Sequence, residues 1–132
     1  MSPDLPPPLA LYIHVPFCIR RCHYCDFAVT RTAEPPVGDW LACLAQDMAQ
    51  WNEELGDPGR LRIDTIFVGG GTPSLLGGAG MERLAELLAA HFEWEADRVE
   101  WTVEANPGSL TLDAARRWRH LGVNRLSIGV QS

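Results

Sequence analysis

The apolar positions of this chain alternate between compact runs and helical spacings. Four runs rich in β-branched and aromatic residues are typical of strands, at 11–15, 63–68, 99–104 and 125–130. Between them, apolar residues recur at intervals of three and four at 40–55 and about 81–92, which predicts amphipathic helices. A third helix, 111–122, is predicted from its end signals, Thr111 as a candidate N-cap and Gly122 as a natural residue after the helix end. The order βαβαβαβ predicts an α/β fold with a parallel sheet and right-handed crossovers.

The predicted helix-strand pattern begins after a Pro-rich lead-in, residues 1–10, and fills 11–132 as one domain. The sequence ends directly after the fourth predicted strand, with no helix to cover it. Parallel sheets need cover on both faces or closure into a barrel, so we expect an open apolar edge and the N-terminal part of a longer chain, truncated after strand four. A complete small α/β domain is the alternative.

Composition and charge exclude several classes of partner. Eleven basic against seventeen acidic residues give a net charge of −6, and basic residues form no cluster beyond adjacent pairs, which argues against nucleic acid. No run of about 18 apolar residues is present, so we expect no transmembrane segment. The N-terminus lacks the basic region of a signal peptide, and we expect a reducing cytoplasm.

The side chains best suited to chemistry follow the carboxyl ends of the predicted strands. In parallel sheets and barrels these ends meet at one edge, where sites form. The first strand is followed by three cysteines and the second by three glycines and Thr72, while the third ends at Glu104 and the fourth at Gln131. The sequence therefore predicts thiols, bare backbone, a carboxylate and an amide on one face.

The cysteines Cys18, Cys22 and Cys25 have the spacing C-x₃-C-x₂-C. Three thiolates can ligate three irons of a 4Fe–4S cluster and leave the fourth iron open to a substrate or cofactor. Zinc is the alternative, because Cys₃His sites exist and His14 and His23 lie nearby. Structural zinc sites commonly use separated C-x₂-C pairs, and only one pair is present, so the spacing favours the cluster and leaves zinc open.

The glycines at 69–71 remove every Cβ after a strand, so a ligand can touch the backbone directly. The segment fits neither common phosphate-binding glycine pattern, and a plain turn is the alternative. Glu104 ends a buried strand and needs a partner, such as an ammonium group on a ligand. Gln131 can pair with a hydroxyl or a ring nitrogen. His14, inside a strand, is interpreted as a structural histidine, and the five tryptophans as core or helix-packing residues.

Four segments carry a resemblance that covers nearly the whole chain: LYIHVPFCIRRCHYCDF, VGGGTPS, VEANPGSLT and LGVNRLSIGVQS. Together they resemble radical S-adenosylmethionine (SAM) proteins of the coproporphyrinogen-oxidase-like branch. The resemblance implies a partial (β/α)₆ TIM-like barrel, of which this chain is the N-terminal βαβαβαβ part, with the cluster loop after the first strand.

The resemblance also assigns roles position by position. It implies that Cys18, Cys22 and Cys25 ligate the 4Fe–4S cluster, whose open iron binds the amino and carboxylate groups of SAM. It implies further cofactor contacts at Tyr12, Tyr24, Gly70, Gly71, Thr72, Glu104 and Gln131. One electron from the reduced cluster to the sulfonium would release a 5′-deoxyadenosyl radical, chemistry that belongs to the cofactors.

One position separates two groups within that branch. The oxygen-independent coproporphyrinogen III oxidases typically carry a fourth cysteine two residues after the third, and this chain has Phe27 there. The pattern resembles the heme chaperones of the branch, which bind heme as cargo and transfer it to acceptor proteins. We therefore expect heme, a heme-acceptor protein and an electron-donor protein as partners. The oxidase, in porphyrin biosynthesis, and the zinc module stay as alternatives.

Overall fold

The computed structural model describes residues 9–18, 30–31, 36–55 and 61–129. Its strands are β1 Leu9–Val15, β2 Phe17–Cys18, β3 Thr30–Arg31, β4 Leu61–Gly70, β5 Phe92–Glu93, β6 Glu100–Ala105 and β7 Arg125–Ile128. Its helices are α1 Val37–Glu54, α2 Gly77–His91 and α3 Leu112–Leu121, with a short 3₁₀ helix at Pro73–Leu76.

The four longer strands form one parallel sheet in the order β1-β4-β6-β7. Each strand is joined to the next along the sheet by a helical crossover, and this order confirms the α/β fold with a parallel sheet. The two-residue strand β5 pairs with the start of β4, and β2 pairs with β3. These short strands were not predicted, because two residues carry no periodicity.

One face of the sheet is buried against the helices. Side chains alternate between faces along a strand, and the register aligns Ile13 with Val68 and Val68 with Val103. All three are at most 2% exposed and belong to one core cluster with residues of all three helices. On the same face of β7, Leu126 and Ile128 are 40% and 52% exposed, at the edge that the sequence predicts to be uncovered.

The opposite face, here called the inner face, carries Tyr12, Phe67, Thr102 and Arg125 side by side. It is more polar and more open, since Tyr12 is 56% exposed. The sheet therefore has one apolar face for packing and one available for a site.

Several helix boundaries differ from the predicted ones, most of all the start of α2, which begins at Gly77 rather than at about residue 81. Helix α1 begins at Val37, three residues before the predicted start at residue 40, directly after Pro36, where a fixed φ suits a helix start. Phe92 was predicted to end α2, but its backbone is extended and it pairs with Leu61. Trp51 was predicted to be a core or helix-packing residue, and this prediction is wrong, because the residue is 59% exposed.

Helix α3 has both predicted end signals. The Thr111 hydroxyl accepts a hydrogen bond from Ala114 N at 3.0 Å, and Gly122 ends the helix with φ +121°. Both features agree with the preferences for a hydroxyl at the start and glycine at the end of a helix. Within the described ranges, no helix is both long and apolar enough to cross a membrane.

Candidate functional site

The first strand and the glycine segment stay paired beyond the end of β1. Gly71 N donates to Val15 O at 2.7 Å, and Thr72 N donates to Phe17 O at 2.6 Å. Phe17 directly precedes Cys18. The backbone that leads into the cysteine segment is therefore held against the glycine segment, as the sequence predicts for two neighbouring parallel strands.

Glu104 lies beside the same glycines. The Gly70 N–H donates to Glu104 Oε1 at 3.3 Å, and the residue is half-buried. A Cβ on Gly69 would collide with the Glu104 carboxylate and would lie 2.8 Å from the Phe67 ring. Glycine at position 69 is thus what allows a carboxylate to approach the backbone, and a plain flexible turn does not account for this contact.

Tyr12 extends the site along the inner face. Its ring stacks on Phe67 with centroids 5.8 Å apart and an interplanar angle of 17°. Partial burial, and secondarily the Glu104 carboxylate, raise the pKa of Tyr12 above its usual value. The phenol is therefore neutral at physiological pH, with a hydroxyl that can donate or accept a hydrogen bond.

His14 belongs to this site, although the sequence was interpreted as giving it a structural role, or a role as ligand in the zinc alternative. It lies two residues after Tyr12 on the same strand, and the ring centroids are 6.5 Å apart. A Cβ on Gly70 would lie 2.6 Å from His14 Nδ1, so the imidazole packs directly over the glycine backbone. The signal was present in the sequence, because residues i and i+2 of a strand share a face.

The structure brings together five of the predicted cofactor contacts, on or beside the ends of β1, β4 and β6: Tyr12, Gly70, Gly71, Thr72 and Glu104. Of the predicted metal ligands, Cys18 is described only as part of strand β2. The remaining predicted residues lie outside the described residues: Cys22, Tyr24, Cys25 and Gln131. The geometry of a metal centre is therefore untested, and the cysteine ligands stay a prediction.

The arrangement suits a zwitterionic ligand that has an amine. Glu104 offers a half-buried carboxylate whose charge an ammonium group would balance. The glycine segment offers peptide groups without Cβ atoms in the way. Tyr12, 56% exposed on the inner face, offers an aromatic surface and a hydroxyl. These features fit the amino-acid part of SAM, and the backbone of Cys18 starts from the same edge.

A parallel α/β sheet with its candidate site at the carboxyl ends of the strands is the arrangement of α/β barrels and of open α/β sheets. The chain matches the family description "Radical SAM superfamily" over residues 12–132. The chain belongs to that superfamily, and this confirms the resemblance of its four segments.

Similar proteins agree with this membership. Curated relatives named "Heme chaperone HemW" include one from Escherichia coli, 45% identical over 127 residues, and one from Bacillus subtilis, 39% identical over 121 residues. These alignments cover 96% and 92% of this chain but 32% and 31% of the relatives. The chain thus spans about a third of the length of the curated relatives it matches.

A solved structure also matches, described as "Coproporphyrinogen III oxidase (HemN) from Escherichia coli is a Radical SAM enzyme". The TM-score is 0.79 at 35% identity, over 94% of this chain and 28% of that one. The sheet therefore corresponds to the N-terminal part of a radical SAM barrel, as the sequence predicts.

Proposed function

We propose that the chain holds a 4Fe–4S cluster and SAM at the carboxyl end of its sheet. Cys18, Cys22 and Cys25 are the proposed cluster ligands. The observation that carries the proposal is the 2.6 Å hydrogen bond from Thr72 N to Phe17 O, which holds the residue before Cys18 beside the glycine segment. When bound, the two cofactors supply one-electron reduction of a sulfonium.

The proposed SAM contacts divide by chemistry. The Glu104 carboxylate pairs with the ammonium group, and the peptide groups of Gly70, Gly71 and Thr72 receive the amino-acid part. The proposed contacts also include Tyr12 on the inner face, with Tyr24 and Gln131 from the segments outside the described residues. The contact between Glu104 and Gly70 supports this division, because it shows that the carboxylate already reaches the glycine backbone.

We propose that the protein acts as a heme chaperone, with heme as cargo and a heme-acceptor protein as partner. The support comes from the HemW relatives and from Phe27, which replaces the fourth cysteine of the oxidase pattern. An electron-donor protein and a cytoplasmic location complete the proposal. In this proposal the Pro-rich segment, predicted as residues 1–10, precedes the radical SAM core, predicted as 11–132, and the first strand of the core begins at Leu9.

The first test is anaerobic reconstitution with iron and sulfide, followed by EPR of the reduced protein with and without SAM. We expect a 4Fe–4S signal that changes when SAM is added. Cys18→Ala should abolish the signal, whereas Glu104→Gln should keep it and lose most of its response to SAM. Uptake of zinc without iron would favour the zinc module instead, and a cluster that ignores SAM would overturn the cofactor proposal.

A second test separates the chaperone from the oxidase, which the HemN structural match keeps as the alternative. Heme added to the reconstituted protein should give a saturable absorbance change, and the bound heme should move to an apo-acceptor protein. Coproporphyrinogen should not be consumed under reducing conditions with SAM. Turnover of coproporphyrinogen without heme transfer would assign the oxidase activity.

A further inference from the structure

Ser74 is a buried hydroxyl next to the candidate site. It lies in the 3₁₀ helix that follows the glycine segment and is 2% exposed. Its Oγ accepts a hydrogen bond from Asn106 N at 3.2 Å and lies 2.5 Å from Ser109 Oγ. Burial of a hydroxyl is costly unless it is hydrogen-bonded, and these two contacts satisfy it.

The proton directions around Ser74 follow from the donors available. Ser109 Oγ donates its single proton to Asn106 O at 3.3 Å. Because a hydroxyl has one proton, Ser74 is the donor in the short contact between the serines when Ser109 donates to Asn106 O. Asn106 N donates to Ser74, so the three residues close a ring of hydrogen bonds. Such rings are rigid when every member is satisfied.

This ring connects the two loops that form the candidate site. Ser74 lies two residues after Thr72, at the end of the glycine segment, and Asn106 lies two residues after Glu104. The hydrogen bond from Gly70 N to Glu104 Oε1 joins the same two segments nearer the sheet. The two loops are therefore tied at two points, and the Ser74 bond restricts how far Glu104 can move from the glycine backbone.

We infer that Ser74 is a positioning residue for SAM, which holds the Glu104 carboxylate and the glycine segment at the spacing the cofactor requires. The inference rests on the proposed function, because it concerns binding of SAM at that site. Ser109 supports Ser74 through the hydrogen bond between the two hydroxyls. Neither serine needs to touch the cofactor.

The test compares Ser74→Ala with Ser109→Ala and Gly122→Ala in the reconstituted chain. Gly122 ends α3 at the amino end of the sheet, away from the two loops of the site. Its φ of +121° makes an alanine destabilising there, so this variant serves as a control for a general loss of stability. Titration with SAM, followed by EPR, should show roughly tenfold weaker binding for Ser74→Ala, in the range typical of groups that orient a ligand-binding residue. We expect a smaller loss for Ser109→Ala and none for Gly122→Ala.

A second readout needs no cofactor. The Gly70 amide donates to Glu104, so its hydrogen exchange reports directly on that contact. Each variant is measured at the same number of degrees below its own melting temperature. Under these conditions the exchange of the Gly70 amide should become faster in Ser74→Ala and stay unchanged in Gly122→Ala. If Ser74→Ala does not fold, Ser109→Ala provides both readouts.

The outcomes separate this inference from the proposed function. Wild-type protein that binds no SAM overturns the proposed function and, with it, the positioning role. Wild-type binding with unchanged affinity and unchanged Gly70 exchange in both serine variants overturns only the inference. Equal losses in Ser74→Ala and Gly122→Ala would show a general stability effect and would also overturn it.

Discussion

Gly70→Ala tests the packing at the centre of the candidate site. Gly70 has a φ of +107°, which for an L-residue costs roughly 1–3 kcal/mol. The new Cβ would also lie 2.6 Å from His14 Nδ1 and 2.9 Å from Val15 O. Overpacking of this kind adds about 1–3 kcal/mol, so we expect a total loss of about 2–6 kcal/mol in the free energy of unfolding.

Gly77→Ala is the matched control. Gly77 also has a positive φ, +63°, but a Cβ there meets nothing within 4 Å. With ψ −162° this backbone is in a region that only glycine commonly adopts, so the substitution should show the backbone cost alone, roughly 1–3 kcal/mol. The difference between the two variants isolates the contacts with His14 and Val15, and we expect it to exceed about 1 kcal/mol.

The assay is urea unfolding followed by circular dichroism, with the slope m checked to be unchanged so that midpoints report stability. Gly129→Ala is a blank, because its Cβ meets nothing within 4 Å and its φ is not positive; it should change stability by less than about 0.5 kcal/mol. Equal losses for Gly70→Ala and Gly77→Ala would refute the close packing of His14 over Gly70.

Three further predictions concern single residues. Thr111→Ala removes the cap of α3 and should lower the free energy of unfolding by about 1 kcal/mol in urea; an unchanged free energy would show that this hydrogen bond does not stabilise α3. Leu84→Ala empties a site that is 0% exposed and should cost about 2–5 kcal/mol in the same assay; a loss below 1 kcal/mol would contradict this burial. Glu104→Gln should lower the pKa of Tyr12 in tyrosinate absorbance titrations of a Tyr24→Phe background, because the carboxylate charge contributes to raising it. Because the pKa of Tyr12 is raised in the folded state, its contribution to the free energy of unfolding is complete below about pH 10 and is lost as pH rises through the folded-state value. An unchanged Tyr12 pKa in Glu104→Gln would show that Glu104 does not act on Tyr12.

The candidate site was predictable where its residues follow strand ends. Gly70 and Glu104 were placed on one face from the strand order alone, whereas Tyr12 was assigned through the family resemblance, and the structure brings the three together. His14 and Ser74 were not assigned to the site. The i, i+2 spacing from Tyr12 indicated only the face of β1 on which His14 lies. The contacts of His14 with Gly70 and of Ser74 with Asn106 join residues more than 30 positions apart, and local spacing does not predict such contacts.

In helix packing too, the sequence predicted the local pattern but not the tertiary contacts. The spacing of apolar residues predicted α1 correctly, and Leu41 and Met48 on its stripe are buried. The same spacing includes Trp51 and Leu55, which are 59% and 51% exposed. Periodicity determines which residues share a face of a helix, but what covers that face depends on the elements that the tertiary structure places beside it.

The sequence by itself determined the local elements, the parallel α/β order and the chemistry offered at each strand end, because these depend on periodicity and residue type over short distances. Membership of the radical SAM superfamily was also legible in its four segments. The tertiary structure decided which of these groups touch. Only the register of β1 with β4 and of β4 with β6 places Glu104 on the Gly70 amide, His14 over the same glycine and Ser74 between two loops, since contacts between distant residues arise from strand alignment and packing.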